Sequence, residues 1–462
     1  MKRILLVFFV FLLTTACSLP FLNSILQNDP NSIPTQLPPA EIPNETTTNP
    51  ETPGSQPTKV QTTQTSAEMD QLFNQIEQQV IDLRGLKPKV NELKRDTLTP
   101  AQLAENVKND FFKDYSEEDA KADVRELAAF GLLPPGFDIY KLFIDLYSEQ
   151  VAGYYDPETK DMFVIKDGDF TGTEKMTYAH EYTHVLQDQT WDMQNGLKSN
   201  DEYCENHTEY CAGVQSLVEG DASLTEQFWY FSNATEQDQQ EVMDFYSTYT
   251  SPVFDSTPFY LQQDFIFPYE KGLNFVQTLF DGGGWAAVDR AYENPPSSTE
   301  MILHPEKYPS DTPVEVPLKD LTSTLGAGWE ETTRNTMGEW YLKLILSAGD
   351  KESARLDEET AATAAAGWDG DTYTVNWNET AQKLAIIMRS RWESDKDTNE
   401  FWKAISEYGR IRWGSPATQS MDEISWEGTA DNFVKIYRSG DEVFWIIAPD
   451  KATADAMTAA VK

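Results

Sequence analysis

Basic residues are scarce in this chain of 462 residues. Lys and Arg number 36 against 76 Asp and Glu, which gives a formal net charge of −40. Nucleic acids and anionic lipid surfaces are bound through a surplus of Lys and Arg, so we expect no nucleic-acid partner. Apolar residues still make up 40 % of the chain, which excludes a wholly disordered protein. At about 150 residues per domain, the length predicts two or three domains.

Long hydrophobic runs are also missing. A membrane-spanning helix needs about 20 apolar residues, and the unbroken apolar run at residues 4–13 is too short. It follows Lys2 and Arg3, which is typical of a signal peptide. The next residues, Thr-Thr-Ala, lead into Cys17 and are similar to the lipidation motif of bacterial lipoproteins. We therefore expect a signal peptide at 1–16, a membrane anchor through lipid on Cys17, and an exported envelope protein facing the extracytoplasmic side. The alternative is a plain secretory signal with an incidental cysteine.

Cysteine is the third scarcity, with three residues in the chain. Besides Cys17 there are Cys204 and Cys211, which lie seven positions apart. Disulfides persist in exported proteins, so we predict a disulfide that closes this small loop. The alternative is a Cys/His metal site that includes His207, although a fourth ligand is missing nearby in the sequence.

The distribution of proline divides the chain. Residues 30–57 contain eight prolines among polar residues, which predicts an extended, disordered tether over 17–65. Folded sequence begins near residue 66. We expect an N-terminal helical region at 66–150, a central catalytic region at 151–320 and a C-terminal α+β region at 321–462.

Local patterns predict a mostly helical α+β protein with a few strands. Thr99-Pro-Ala-Gln102 is typical of a capped helix start. The segments 151–155 and 162–165 flank an Asp-Pro turn and predict a β-hairpin, whose strands are candidates to pair with a substrate chain. Residues 170–245 are predicted to be mainly helical, and 245–320 aromatic and irregular. Later segments predict helices at 339–347, 381–392, 401–408 and 451–461, a strand at 372–377, and a hairpin of 433–437 with 443–447.

Histidine is rare, with four residues in the chain, yet two of them lie in the segment His180-Glu181-Tyr-Thr-His184. Residues four apart on a helix share a face, so both imidazoles can bind one Zn²⁺. Glu181 lies beside them and can act as the general base that takes a proton from water. At this composition, chance would give roughly 0.003 such matches. The spacing therefore predicts a zinc site.

A third zinc ligand has to come from elsewhere in the chain. The pattern with a third His needs Gly and His where Gln187 and Thr190 stand, so it is excluded. The common remaining solution is a carboxylate on a second helix. We predict Glu219 as this ligand, with Asp221 as its competitor or as a residue that orients an imidazole.

Cleavage of an amide also needs a donor for the oxyanion of the tetrahedral intermediate. His304, which precedes Pro305, is our candidate for this catalytic role. Tyr260 and Tyr269 are alternatives, and a purely structural role of His304 is another.

Several segments together resemble a little-characterised group of exported bacterial zinc metallopeptidases. They are residues 152–157, the metal motif with Gln187-Asp188-Gln189, residues 217–222 and residues 297–308. The resemblance implies a zincin-like fold, with a mostly helical catalytic core, a small β-sheet or hairpin and a Glu third ligand. In the thermolysin-like pattern, an Asp four residues after that Glu supports a zinc-bound His. Ser223 occupies this position here, so Asp221 or Asp188 would have to serve.

The expected function is that of an extracytoplasmic zinc metallopeptidase, a hydrolase that acts on a peptide or protein substrate with Zn²⁺ as cofactor. The alternatives are a catalytically silent binding lipoprotein of the cell envelope with the same fold, and zinc-dependent hydrolysis of something other than peptide.

Overall fold

A computed structural model describes residues 66–89, 93–108, 112–113, 115–429 and 432–462. The predictions for residues 1–65, which are the signal peptide, the lipidation of Cys17 and the tether, lie outside these residues. A search of the described part finds no helix with the length and apolarity needed to cross a membrane.

The fold is α+β, as predicted. Its first part is mainly helical and consists of α1 (Ser66–Arg84), β1 (Lys94–Leu98), α2 (Pro100–Asn106), α3 (Glu117–Phe130), α4 (Ile139–Gln150), β2 (Gly153–Asp156), β3 (Asp161–Ile165), α5 (Gly172–Trp191), α6 (Asp201–Cys204), α7 (Thr208–Ser232), α8 (Glu236–Thr248), α9 (Pro252–Ser256), α10 (Phe259–Gly283), α11 (Trp285–Glu293) and α12 (Thr299–Leu303). Its second part consists of α13 (Thr322–Leu325), β4 (Glu330–Asn335), α14 (Gly338–Ser347), a 3-10 turn (Glu352–Ala354), α15 (Glu358–Ala365), β5 (Trp368–Asn378), β6 (Lys383–Trp392), α16 (Asp395–Trp413), β7 (Thr418–Gln419), β8 (Glu423–Thr429), β9 (Asn432–Ser439), β10 (Glu442–Ala448) and α17 (Lys451–Val461).

A small sheet with strand order β1-β3-β2 lies against α5. β2 and β3 form the predicted antiparallel hairpin, and β1 pairs with β3 in parallel. Gly153 of β2 allows a close approach to α5. A Cβ atom there would lie 2.8 Å from Thr177 Cγ2 and 3.1 Å from Glu181 Cγ. A side chain at this position would therefore push the strand off the helix.

Two long helices, α7 and α10, cross with their backbones in contact. A Cβ atom at Gly220 would lie 2.2 Å from the carbonyl oxygen of Gly272, and one at Gly272 would lie equally close to the carbonyl oxygen of Ser216, at 2.2 Å. Only glycine permits this approach. Glu219 and Asp221 flank Gly220, so this crossing holds the segment of α7 that carries both carboxylates.

The second part of the fold is built on a sheet with strand order β4-β5-β6-β10-β9-β8-β7. α16 packs on β6, β8 and β10, and α17 packs on β9 and β10. One cluster of buried apolar side chains extends from Leu103 to Ile447 and includes residues of all three predicted regions. Within it, the ring of Phe130 lies 5.7 Å from that of Tyr373 and 5.5 Å from that of Trp445. The two parts therefore share a hydrophobic core.

Two local predictions are wrong. Residues 383–392 form the strand β6, not a helix, and β6 lies inside the sheet between β5 and β10. Strands buried on both faces have continuous apolar runs that resemble those of helices. The segment 245–320, predicted as irregular, contains α10, which has 25 residues and Pro268 in its interior. Its aromatic residues are weak helix formers and its interior proline disfavours helix, but packing against α7 outweighs both effects.

Several other predictions are confirmed. Thr99 caps α2 through a capping box with Gln102. Cys204 and Cys211 form the predicted disulfide, with a Cα–Cα distance of 5.8 Å. Because the disulfide uses both sulfur atoms, the alternative metal site with His207 is excluded.

Buried acids lie where the two parts of the fold meet. One oxygen of Glu209 on α7 accepts hydrogen bonds from the backbone N–H and the hydroxyl of Thr299, each at 2.9 Å. Burial is the main reason that the pKa of Glu209 rises to about 8, and the charges of Asp371 and Glu339 raise it further. Burial also raises the pKa of Asp371 to about 6. Between the ordinary and the raised pKa values, Glu209 and Asp371 therefore stay protonated in the folded protein and are ionised in the unfolded chain.

We predict that stability falls as the pH rises from about 4.5 to about 8. In this window Glu209 is protonated in the folded state and ionised in the unfolded state, so unfolding releases a proton and is favoured at higher pH. Glu209→Gln keeps an acceptor for both Thr299 donors and removes the titration. Thermal unfolding between pH 5 and 9, followed by circular dichroism, should show a smaller loss of Tm for this variant. The exposed Glu202→Gln is the matched control, and equal pH slopes for Glu209→Gln and the wild type would contradict the prediction.

Candidate metal centre

The helix α5 carries the metal motif in the interior of the protein. Its start is capped by Thr171 and Glu174, and its middle turns are buried. The rings of His180 and His184 lie on one face with their centroids 4.9 Å apart. The spacing of four residues thus places both imidazoles where the sequence predicts them.

The helix α7 brings a carboxylate to these imidazoles. Oε2 of Glu219 lies 3.3 Å from Nε2 of His180 and 3.5 Å from Nε2 of His184. One possible ligand atom of each residue lies within 4.8 Å of the other two. The structure therefore brings together the three side chains that the sequence predicts as metal ligands.

The orientation of His180 is set by a second carboxylate. Its Nδ1 lies 2.8 Å from Oε2 of Glu226, which can only accept a hydrogen bond when ionised. Nδ1 therefore carries a proton, and Nε2 is the atom that faces Glu219. Burial disfavours a charged imidazole, but the hydrogen bonds to Glu219 and Glu226 outweigh it and raise the pKa of His180 to about 10. A metal ion bound at Nε2 would replace that second proton.

The orientation of His184 is set by Gln187. The side-chain oxygen of Gln187 lies 2.7 Å from Nδ1 of His184. Its amide nitrogen donates to the carbonyl oxygen of Val218 and to Oδ2 of Asp221, each at 3.0 Å. These two acceptors fix which end of the amide faces the ring, so Nδ1 of His184 is the donor to Gln187 and Nε2 is the atom that faces Glu219.

Two buried polar atoms of this group lack hydrogen-bond partners, which indicates a cation site. Within the described residues, Nε2 of His184 and Oε1 of Glu219 are buried and make no hydrogen bond. Buried polar atoms without partners are rare in folded proteins and often mark an ion or ligand site. Two imidazole nitrogens and one carboxylate are a donor set that suits Zn²⁺ and leaves one coordination position free. The residues present thus fit the metal that the sequence predicts.

Glu181 is less well paired than its neighbours, and the polar group that approaches its carboxylate is the backbone of Tyr155 on β2. Both of its carboxylate oxygens are buried and lack hydrogen-bond partners among the described residues. Burial is the main reason that its pKa rises well above the ordinary value, and the positive charge of His180 opposes this rise. A carboxyl group with a raised pKa beside a metal site is suited to accept a proton and donate it again.

The sequence predicted that Asp221 or Asp188 supports a zinc-binding histidine, and the structure corrects this prediction. Asp188 contacts neither imidazole; its Oδ2 lies 2.7 Å from the hydroxyl of Tyr155 and 2.7 Å from Nζ of Lys160. Asp221 supports His184 only through Gln187. The direct partner of His180 is Glu226, which sequence reasoning missed. Its signal was the spacing of seven residues from Glu219, which places both carboxylates on one face of α7.

Asp221, the competing candidate for third ligand, is engaged elsewhere. Its oxygens accept hydrogen bonds from Arg84, Gln187 and Tyr292. Glu219 is the carboxylate that faces the two imidazoles, so the geometry favours it over Asp221.

The predicted oxyanion donors lie outside this group of ligands. His304 follows α12, and its Nε2 lies 2.9 Å from Oε1 of Glu339. The hydroxyl of Tyr260 is buried in a cavity of about 60 Å³ that is also lined by Asp123 and Glu126. Tyr269 is buried on α10. A catalytic role for His304 or for either tyrosine stays a prediction.

The site is closed in this conformation. His180, Glu181, His184 and Glu219 are each 0–1 % exposed. A groove of about 1280 Å³ lies elsewhere, between α3, α4 and the turn that joins β5 to β6, and none of the metal-site residues lines it.

Comparison with known proteins gives one match. Residues 324–458 match a family model described as a domain of unknown function, DUF8575. This segment covers all strands of the larger sheet and lies outside α5 and α7. No curated protein and no solved structure shows significant similarity to the chain.

We predict that Glu226→Ala lowers zinc affinity by about 10- to 100-fold, the usual cost of removing a residue that orients a metal ligand. Without Glu226, nothing holds the proton of His180 on Nδ1. The affinity is measured by competition with a chromophoric chelator. Glu236→Ala, which changes an exposed glutamate on α8, should bind zinc as the wild type does. Unchanged affinity of Glu226→Ala would show that the contact does not orient the ligand.

Proposed function

We propose that the chain is a zinc-dependent metallopeptidase with a zincin-like core, exported and held at the membrane through lipid on Cys17. The observation that carries this proposal is the convergence of His180, His184 and Glu219 with Glu181 beside them. Two histidines, one glutamate and an adjacent buried glutamate are the group of residues that such hydrolysis requires.

The residues divide the chemistry among themselves. Zn²⁺ held by His180, His184 and Glu219 would supply a Lewis acid that polarises a carbonyl group and lowers the pKa of water. Glu181 accepts a proton from the attacking water at a carboxylate oxygen and then delivers it to the nitrogen of the leaving amine. Burial raises the pKa of Glu181, which makes its carboxylate a stronger base for the first of these steps.

The position of β2 supports a peptide as the substrate. β2 is an edge strand of the small sheet, and Gly153 allows it to lie close to Glu181. An extended peptide that adds to a sheet edge is aligned by its backbone, which suits cleavage of many sequences. A peptide paired with β2 would pass close to the predicted general base.

A second candidate function is a catalytically silent zinc-binding lipoprotein of the envelope. The observation that favours it is the burial of the site, where Glu181 and Glu219 have no exposed surface. A substrate reaches Glu181 only if the elements around it move apart. The intact general base favours the peptidase, because a binding protein has no use for it.

We predict that the zinc-loaded full-length chain cleaves peptides in a diverse mixture, read by mass spectrometry. Glu181→Gln should lower the rate by at least 10²-fold, because general-base catalysis contributes about 10²–10⁴-fold. This variant keeps all three ligands, so its zinc content should stay at that of the wild type. A chelator should abolish cleavage, and added zinc should restore it.

The same experiment separates the alternatives. One bound zinc per chain without cleavage, together with capture of intact peptide, would support the binding protein. Zinc-dependent release of products from esters but not from peptides would support another hydrolase. Absence of bound zinc would overturn the ligand assignment.

A further inference from the structure

The first helix of the described chain reaches the metal centre through one side chain. Arg84 is the last residue of α1, and its side chain is fully buried. Its Nε donates to Oδ1 of Asp221 at 2.6 Å, and its Nη2 donates to Oδ2 at 3.1 Å. This two-point contact joins residues 137 positions apart. A planar guanidinium group holds a carboxylate in one orientation in a way that a lysine cannot.

Asp221, held in this way, in turn orients the side chain of Gln187. Its Oδ2 accepts from Nε2 of Gln187 at 3.0 Å and from the hydroxyl of Tyr292 at 2.8 Å. The other end of the Gln187 amide faces Nδ1 of His184 at 2.7 Å. A continuous line of hydrogen bonds therefore connects α1 with a predicted metal ligand.

We propose that Arg84 is a positioning residue for His184, so that the zinc affinity of the site depends on the contact of Arg84 with Asp221. This inference rests on the proposed function. Without Arg84, the buried charge of Asp221 loses its ionic partner, and Asp221 no longer holds the Gln187 amide in place. A flipped amide presents its NH₂ group to Nδ1 of His184. The contact that orients the ring through Nδ1 is then lost, and Nε2 of His184 is no longer held towards Glu219.

The surroundings of Arg84 are built to hold it. The guanidinium carbon lies 4.4 Å from the ring centroid of Trp285 and 5.8 Å from that of Trp191, and a second carboxylate, that of Asp289, lies 2.8 Å from Nη2. Trp191 stacks on Tyr292 with a centroid distance of 3.8 Å. Cation–π contacts of this kind hold a desolvated guanidinium in place.

The rest of α1 binds to the same part of the fold. Phe73, Ile76 and Val80 are buried in a cluster that includes side chains of α5. The ring of Phe73 stacks on that of Tyr178 at 4.5 Å. α1 is therefore a fixed part of the site, and it joins the metal centre to the segment that the sequence predicts as the tether.

The test measures zinc affinity in the full-length chain by chelator competition, together with the absorption spectrum of the Co²⁺-substituted protein. Arg84→Met should weaken zinc binding about tenfold or more, the range known for residues that support metal ligands. Arg84→Lys should recover part of that loss, because it restores the charge with a single contact point. Val80→Ala removes packing of α1 and leaves Arg84 in place, so it should lower Tm with a change in zinc affinity below about twofold.

A double-mutant cycle with Gln187→Ala tests the route of the effect. If Arg84 acts through Gln187, Arg84→Lys should change zinc affinity little once Gln187 is absent, and the two effects should not add. This cycle uses Arg84→Lys, so it can be measured even if the Arg84→Met protein does not fold.

The outcomes are separable. Tight zinc binding by the wild type and a folded Arg84→Met protein with unchanged affinity and Co²⁺ spectrum would overturn the inference and leave the proposed function standing. Additive effects in the cycle, or an equal loss in Val80→Ala, would also overturn it. A wild type that binds zinc without peptide cleavage would overturn the proposed function alone. A wild type without zinc binding would overturn both.

Discussion

The burial of ionisable groups between α5 and α7 is the constraint on which the rest of the site depends. His180, Glu181, His184 and Glu219 are almost entirely removed from solvent. A buried charge costs folding free energy unless it has a partner of opposite charge or a hydrogen bond. Removing one member of a buried pair leaves the remaining charge without compensation for its lost hydration. The surrounding residues provide a partner for Nδ1 of each histidine, whereas Nε2 of His184 and Oε1 of Glu219 have none and are atoms that a cation would bind.

Two layers of contacts surround the imidazoles. Glu226 and Gln187 hold the Nδ1 atoms, so that both Nε2 atoms face Glu219. Asp221 and Arg84 hold Gln187 in turn. The two histidines are supported differently, one by a carboxylate directly and the other by an amide that is itself oriented by an ion pair. Such outer contacts set the tautomer and direction of a ligand, which decides how well it binds a metal.

The larger sheet shares a hydrophobic core with the helical part, although the matched family of unknown function covers only the sheet region. The contact between the parts includes Glu209, whose buried carboxyl group lies against Gly338 at the start of α14 and also accepts from Thr299 at the start of α12. Glu209 lies on α7, the helix that also supplies Glu219. The helix that completes the metal centre is thus anchored at its N-terminal end by the same interface that joins the two parts.

The sequence by itself determined what depends on short spacings. The interval of four residues places His180 and His184 on one helical face, and seven positions allow the disulfide of Cys204 with Cys211. It also predicted the hairpin of β2 and β3 and the start of α2. These features depend on periodicity, caps and turns, which act over a few residues.

Only the tertiary structure decided which distant faces meet. The support of Gln187 by Asp221 and the contact of Arg84 across 137 positions have no local signal. The spacing of Glu226 from Glu219 places both on one face of α7, but it does not show that Glu226 meets His180. The assignment of β6 failed for the same reason, because an apolar run becomes a central strand only where partner strands flank it on both sides. Helical periodicity fixes neighbours within about two turns, whereas long-range contacts are selected by the packing of whole elements.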